Sequence, residues 1–380
     1  MAPFFIGKDI AINCWNEIPN LKDYVHFYTH VNINSASVPV GLFAKIRPIY
    51  TSSFLAWYLL TYLGAHKDAF KTIEFGIEHT LFKNGREITF EFVTSNSLQP
   101  YFMILFKNEM GDELFAGNCK FTMETLSIRS ILPYLSSKSL TNFYFDGSYM
   151  NTPRLPSTDQ IIHSVINTIK VHKRKIVYIS ANILGNENIL CIIAQAVNKK
   201  IHVSTDKFAI LGKLGLSKYF TTEPSTTYIR TIDYSQISIK KVSARNKLLG
   251  PSVTIVLSLK AFFANEEHKE DFMKNGIFFF PLTSLNTPSE LQFIKQIRTK
   301  DYVFTNHMTP ISNGSSDITA DCTTKNDKPY RYNHFNLRRY SKFKTYDGKL
   351  KKELTKCEPD YWLSWTDYLK WRQRNCYHSL

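Results

Sequence analysis

The stretch that most constrains this chain is Tyr24–Leu42, YVHFYTHVNINSASVPVGL. Val25, His26, Phe27 and Tyr28 give an apolar, aromatic strand signal that delivers Thr29 and His30 into a polar loop closing on Gly41 and Leu42. A strand end that presents a histidine to a polar loop suits metal ligation, because imidazole is a strong zinc ligand and a strand holds it in place. The next polar residues are Asn32, Asn34 and Ser35, amides and a hydroxyl that bind zinc poorly. Whether this loop holds a metal decides most of what the chain is able to do.

A chain of 380 residues is long enough for a large core and two or three domains. No run of about 18 apolar residues is present, so no transmembrane helix is expected. The start, MAPFFIGKDIAINCW, lacks a basic stretch followed by a long apolar one, and no secretory signal is expected. Six cysteines (Cys14, Cys119, Cys191, Cys322, Cys357, Cys376) lie scattered without C-x-x-C spacing, which argues against a disulfide framework or zinc knot and for a reducing compartment. The formal charge of +15 points to a polyanionic partner, nucleic acid or an anionic membrane surface; a generally basic, solvated surface is the plainer alternative.

Up to residue 126 the pattern is strands and turns. Ile10–Trp15 and Val25–Thr29 read as strands, Phe54–Leu60 as a buried helix, and Glu87–Val93 alternates with period two as a half-buried strand does. Tyr101–Lys107 and Glu113–Gly117 read as a hairpin across Asn108–Asp112, and Phe143–Asp146 as a strand ending on an acid. From Pro156 the pattern becomes helix and strand in alternation. Ser157-Thr158-Asp159 caps a helix with Ile161, Ile162, Val165, Ile166 and Ile169 on one face. Then follow strand Lys175–Ser180, helix Glu187–Val197, strand Lys200–Val203 and helix Asp206–Gly212, a parallel α/β module over 156–255. Thr254–Leu259, Gly276–Phe280 and Asp301–Thr305 read as strands and Ser289–Ile297 as a helix. The expected division is 1–155 with 256–310 as one domain, 156–255 as an inserted module and 311–380 as a basic, aromatic tail.

Residues 311–329 read as a linker rich in Ser, Thr, Asn, Asp and Gly. Residues 325–380 hold 14 Lys and Arg against 6 Asp and Glu, about half of the chain's excess charge. Arg331, Arg338, Arg339, Lys342, Lys344, Lys349, Lys351 and Lys352 are the candidate phosphate contacts. Further on, Tyr361, Trp362, Trp365, Tyr368, Leu369 and Trp371 give the 360–374 stretch an aromatic face at helical spacing, which docks on a partner or packs back on its own domain.

Five stretches carry a resemblance to a known family. They are Phe27-Tyr28-Thr29-His30 with Gly41-Leu42; Pro48-Ile49-Tyr50-Thr51-Ser52; Leu114 to Phe121, LFAGNCKF; Tyr144 to Tyr149, YFDGSY, with Leu155-Pro156-Ser157; and His202-Val203-Ser204 with Leu211 to Leu216 and Phe220-Thr221. In order and in one register over residues 5–307, they resemble the β-CASP metallo-β-lactamase nucleases of DNA repair, of the Apollo/Artemis cross-link-repair type. The resemblance implies an α/β fold: an αββα sandwich with an inserted β-CASP α/β module. It also implies nuclear, zinc-dependent 5′-to-3′ DNA exonucleases or structure-specific endonucleases acting in interstrand cross-link repair, double-strand-break repair or telomere protection.

The departures from the family pattern fall on its acids, bases and ligands. The family's H-x-H-x-D-H becomes His30-Val31-Asn32-Ile33-Asn34-Ser35, its N-H-C-P-G places Ser97 at the histidine, and its T-G-D places Asn118 at the bridging aspartate. Its late P-Y-S-D-H-S-S places Ser284 and Leu285 at Asp and His, and the lysine of its G-K-E is Asn186. Only His30 and Asp146 survive. Catalytic zinc takes about three His, Asp, Glu or Cys ligands and an open site for water. The site is therefore expected to be catalytically dead, with no cofactor. His30 reads as a residual ligand or as a buried, hydrogen-bonded strand-end histidine. Asp146 positions a bound backbone or caps the following loop. No G-x-S-x-G elbow, G-x-G-x-x-G or Walker loop is present.

Three functions are compatible with these residues: a pseudo-nuclease that binds DNA, or a repair or telomere partner, without cleavage; an active zinc-dependent 5′–3′ exonuclease with substitute ligands; and a protein-interaction scaffold acting through its tail helix. The expected location is the nucleus, with no membrane partner.

Overall fold

The computed structural model describes residues 4–15, 20–30, 41–94, 101–109, 111–150, 152, 155–180, 185–259, 266–283 and 286–305. Asn32, Asn34, Ser35, Ser97, Ser284, Leu285 and the tail cations Arg331–Lys352 lie outside them, as does the 360–374 stretch.

Three sheets make the frame. The first runs β1 (Phe4–Ile6), β2 (Ile10–Ile12), β3 (Val25–Phe27), β4 (Ile49–Thr51) and β5 (Phe70–Thr72) in that spatial order, parallel apart from the β1–β2 pair. The second holds β6 (Glu78–Lys83), β7 (Arg86–Thr94), β8 (Phe102–Asn108), β9 (Gly111–Gly117) and β10 (Leu140–Phe145), with β17 (Thr299–Phe304) beside β10 at the far edge. The third holds β11 (Ile176–Ser180), β12 (Ile201–His202), β13 (Phe220–Thr221), β14 (Ile229–Thr231), β15 (Ser252–Leu257) and β16 (Ile277–Phe280), all parallel, in the order β13-β12-β14-β11-β15-β16. Strand pairing in this sheet thus continues past residue 255.

The first two sheets face each other. Side chains on a strand alternate between faces, and β3 uses that period fully. Val25 and Phe27 enter a core shared with Phe90, Phe92, Phe106 and Phe115 of the second sheet. Tyr28 enters an outer cluster with Trp15, Leu42, Phe43 and Leu59. Phe27 is fully buried, with ring centroids of Phe90 and Phe106 at 4.9 and 5.4 Å, both edge-on. Each such ring contributes about 1.5–3 kcal/mol by burial, and the edge contacts add to it. Helices cover the outer faces: Ser53–Leu63 over the first sheet, and Met123–Leu126, Pro133–Ser136 and Leu291–Ile294 over the second. This is the αββα sandwich with an inserted α/β module that the resemblance implies.

The module begins at a capping box. Ser157 Oγ accepts the Gln160 N–H at 3.2 Å, and Gln160 Oε1 accepts the Ser157 N–H at 2.9 Å. The helix Thr158–Val171 then buries the five predicted aliphatic residues against the third sheet. A second helix, Thr205–Lys213, docks the module on the sandwich: Ile210 enters the inner core, and Lys213 Nζ lies 5.8 Å from the Trp57 ring centre.

Several expectations need correction. The β8–β9 hairpin is tighter than Asn108–Asp112, because Asn108 pairs with Gly111 and leaves two residues in the turn. The helix expected over Ser289–Ile297 is Leu291–Ile294 alone; the Glu290 carboxylate caps the preceding turn by accepting the Thr287 N–H at 2.8 Å. The strand signal Val25–Thr29 ends at Phe27. Strand β6 and the helices Ile239–Leu249 and Glu266–Lys274 have no counterpart in the sequence reading, their charged residues having masked the apolar period. The signal for β6 was the Asn84-Gly85 pair, both left-handed (φ 52° and 74°), which a two-residue hairpin turn between right-twisted strands requires.

Phe27→Ala is expected to lower unfolding free energy by about 3–5 kcal/mol, read from the midpoint of urea unfolding at unchanged slope.

Candidate functional site

Two strand ends build the site. β2 exits through Asn13, which takes the left-handed conformation (φ 54°) and donates its N–H to the Phe27 carbonyl at 2.8 Å. β3 exits through Tyr28, whose N–H is held by the Tyr50 carbonyl at 3.1 Å and whose own carbonyl accepts from Thr51 Oγ1 at 2.7 Å. Thr29 and His30 follow, both buried, and the Thr29 carbonyl accepts the Phe102 N–H at 3.3 Å, so the start of β8 closes the far side.

Asn13 decides the state of His30. Its Oδ1 accepts the Thr29 backbone N–H at 2.9 Å, and a backbone N–H only donates, so the amide orientation is settled. The Nδ2 group therefore faces the other way, donating to Thr29 Oγ1 at 3.0 Å and to His30 Nδ1 at 3.1 Å. His30 Nδ1 must be an acceptor, and the ring proton of the neutral imidazole sits on Nε2. Nε2 is buried and has no hydrogen-bond partner among the described residues. Burial pushes the His30 pKa down to about 4, and an amide donor against Nδ1 opposes protonation further.

This is the reverse of a zinc-ligating histidine. A ligand that binds through Nε2 keeps its proton on Nδ1 and donates it to a carboxylate or carbonyl. Here a donor stands where that acceptor is needed, and the Nε2 lone pair is taken up by a proton. Asp146, also buried, accepts the Ser148 N–H on Oδ1 at 2.7 Å, which is the loop-capping role. Its N–H goes to the Gly117 carbonyl at 2.9 Å, so it adjoins the turn that carries Asn118. Among the described residues no group of three or more His, Cys, Asp or Glu side chains is placed to hold a metal ion.

Other residues, not singled out from sequence as site residues, complete the surroundings. Asn286 ties two loops together: its Oδ1 accepts the Phe121 N–H at 2.8 Å and its Nδ2 donates to the Cys119 carbonyl at 3.0 Å. Lys120 pairs with Glu290 at 3.3 Å and reaches the Thr283 carbonyl at 3.4 Å. Neutral amides and an ion pair thus lock the 118–121 turn to the 283–290 segment. The Tyr101 ring lies 6.0 Å from His30, edge-on, and its hydroxyl pKa is raised by burial and by the nearby charge of Glu187. Glu187, 1% exposed, accepts the Gly185 N–H on both carboxylate oxygens, at 2.8 and 3.1 Å, and burial raises its pKa to about 7. Asn186, the counterpart of a phosphate-pocket lysine, is buried beside it. Asn13 was read within a strand Ile10–Trp15, which ends at Ile12, and its partners Thr29 and His30 follow the neighbouring strand.

No protein-family model matches the chain. The chain is 26% identical to the 5′ exonuclease Apollo of Danio rerio over 63% of its own length and 42% of that protein's. It is 24% identical to the 5′ exonuclease Apollo of Mus musculus, over 60% and 42%, and of Gallus gallus, over 66% and 53%. The chain spans about half the length of the curated relatives it matches. Among solved structures, a protein of unknown function from Enterococcus faecalis V583 aligns at 12% identity over 75% of this chain and 76% of that one, with a TM-score of 0.47.

Two pH effects of opposite sign follow. The His30 pKa is lower folded (about 4) than unfolded (6.5), so the unfolded chain binds the extra proton as pH falls. Stability is complete above pH ~6.5 and falls towards pH ~4 by up to about 3 kcal/mol, and His30→Gln flattens that fall in urea titrations at several pH values. Glu187 has a raised folded pKa, so its cost appears as pH rises from about 4.5 towards 7. Glu187→Gln is expected to raise the thermal midpoint more at pH 8 than at pH 5.

Proposed function

We propose, from the premise that this chain belongs to the Apollo-like β-CASP nuclease family, that it is a member without zinc chemistry which binds DNA and does not cut it. The observation that carries this is the Asn13–His30 contact, which fixes the imidazole in the tautomer that cannot offer Nε2 to a metal. The donor set agrees. The other family ligand positions in this sequence are Asn32, Asn34, Ser35, Ser97, Asn118, Ser284 and Leu285: amides, hydroxyls and an alkyl chain. These residues do not fit a zinc pair.

DNA binding rests on charge. Lys and Arg neutralise phosphates and release counterions, and the chain carries +15, with Arg331, Arg338, Arg339, Lys342, Lys344, Lys349, Lys351 and Lys352 as the candidate contacts. Relatives named 5′ exonuclease support a DNA end as the ligand, hence a nuclear role in cross-link repair, break repair or telomere maintenance.

One purified preparation tests both halves. The expected result is substoichiometric zinc by elemental analysis and no release of nucleotides from a 5′-phosphorylated strand with zinc, magnesium or manganese. Binding to single- or double-stranded DNA at about 50 mM salt should weaken at least about a hundredfold by about 200 mM. Stoichiometric zinc with metal-dependent nucleotide release would establish instead the active exonuclease. No DNA binding at low salt would remove the DNA half and leave the protein-interaction scaffold.

A further inference from the structure

A cleft of about 430 Å³ opens at the edge of the sandwich, between the turn before β3, the segment before β4 and the end of β6. Its size falls in the range of small-ligand sites. Four cations line it, Lys22, Lys45, Arg47 and Lys83, and among its described lining residues there is no Asp or Glu. Asp9 is already engaged by Arg86 at 3.2 Å and Asn84 at 2.8 Å, and Asp23, next to Lys22 in the chain, is exposed. Lys83 Nζ is held by the Lys22 carbonyl at 2.7 Å, so part of the positive charge is fixed in place. An anion belongs here.

The remaining walls ask for more than an anion. Tyr24 and Tyr50 line the cleft half-buried, and Phe82 stands at its rim with 75% of its surface exposed. Such rings are platforms for a planar group. His26, the middle residue of β3, also lines the cleft and is 2% exposed. Its Nε2 donates to the Leu21 carbonyl at 2.7 Å, and its Nδ1 is buried without a partner. Burial foremost, with Lys83 nearby, holds this imidazole below its ordinary pKa, so at neutral pH Nδ1 is a lone pair awaiting a donor. Inorganic phosphate keeps a P–OH donor at neutral pH but has no planar face for these walls. A nucleobase with an exocyclic amino group brings both a donor and a face.

We propose that this cleft binds a nucleoside 5′-phosphate, its phosphate on Lys22, Arg47 and Lys83, its base against Phe82 and the tyrosines, and an amino group on His26 Nδ1. The source is a free mononucleotide or the terminal nucleotide of a single strand, whose chemistry here is the same. The cleft has neither Asn13 nor His30 in its lining, and the assignment does not depend on whether the basic tail binds DNA.

Photolabelling of the full chain with 8-azidoadenosine 5′-monophosphate, followed by peptide mass spectrometry, tests it. Label is expected on peptides covering 21–26, 44–50 or 81–83, with unlabelled AMP competing at or below about 1 mM. Competition by a 5′-phosphorylated oligodeoxyadenylate at lower concentration than AMP assigns the strand-terminal source, and the reverse order assigns the free nucleotide. Lys22→Glu with Arg47→Glu, both on exposed side chains, is expected to lower labelling at least about tenfold at an unchanged unfolding midpoint, and Phe82→Ala to lower it separately. Label confined to other peptides, undiminished labelling of the double variant, or competition by inorganic phosphate or a polyglutamate peptide as strong as that by AMP would overturn the assignment.

Discussion

Phe27, closed between the two sheets of the sandwich, is the contact on which the rest of the site depends. Its ring meets Phe90 and Phe106 edge-on, and its carbonyl accepts the Asn13 N–H. Burying one face of β3 so completely fixes the strand's register, since a slip by one residue would send Phe27 outward and His26 into the core. With the register fixed, Tyr28 turns to the outer cluster and Thr29 and His30 emerge beside Asn13. The same alternation sends His26 to the opposite face, where it lines the basic cleft. One packing interaction thus places two histidines in two different settings.

Both histidines are neutral, and for one main reason. Each is removed from water without an anion to hold a proton on it. What differs is the partner. His26 Nε2 meets a carbonyl and must carry its proton there; His30 Nδ1 meets an amide N–H and must not. Around His30 the neutral amides do much of the polar work, Asn13 between two strand ends and Asn286 between two loops, while the Asp146 carboxylate accepts the Ser148 N–H. A pair of divalent ions needs anionic ligands nearby to offset its charge. A site built on amides and backbone bonds is stable without that charge and offers little to attract it.

Much of the frame was legible. The capping box at Ser157 and Gln160 and the aliphatic face of the following helix follow local rules, and the structure keeps them; the alternation read in β7 holds only as far as Phe90, because Glu91, Phe92 and Val93 are all buried. The helix read over Ser289–Ile297 is only Leu291–Ile294, with Thr287 and Glu290 closing a capping turn ahead of it. Strand β6 was missed because Glu78, His79, Thr80 and Lys83 break up its apolar signal, although Asn84-Gly85 marked the turn. Over the aligned stretches the chain is 24–26% identical to its curated relatives, a level that preserves a fold while leaving ligand positions free to change.

By itself the sequence determined which atoms are available: one histidine and one aspartate at the positions the family resemblance marks, amides, hydroxyls and an alkyl chain at the others, and a strongly basic chain. These follow from residue identity and need no coordinates. Only the tertiary structure decided what the surviving histidine is. Asn13 and His30 are 17 residues apart, and their meeting depends on β2 lying parallel to β3. The same holds for the basic cleft, whose cations come from three separate segments. Charge and ligand chemistry are properties of residues, whereas a tautomer or a pocket is a property of neighbours, and neighbours are set by the packing of one strand against another.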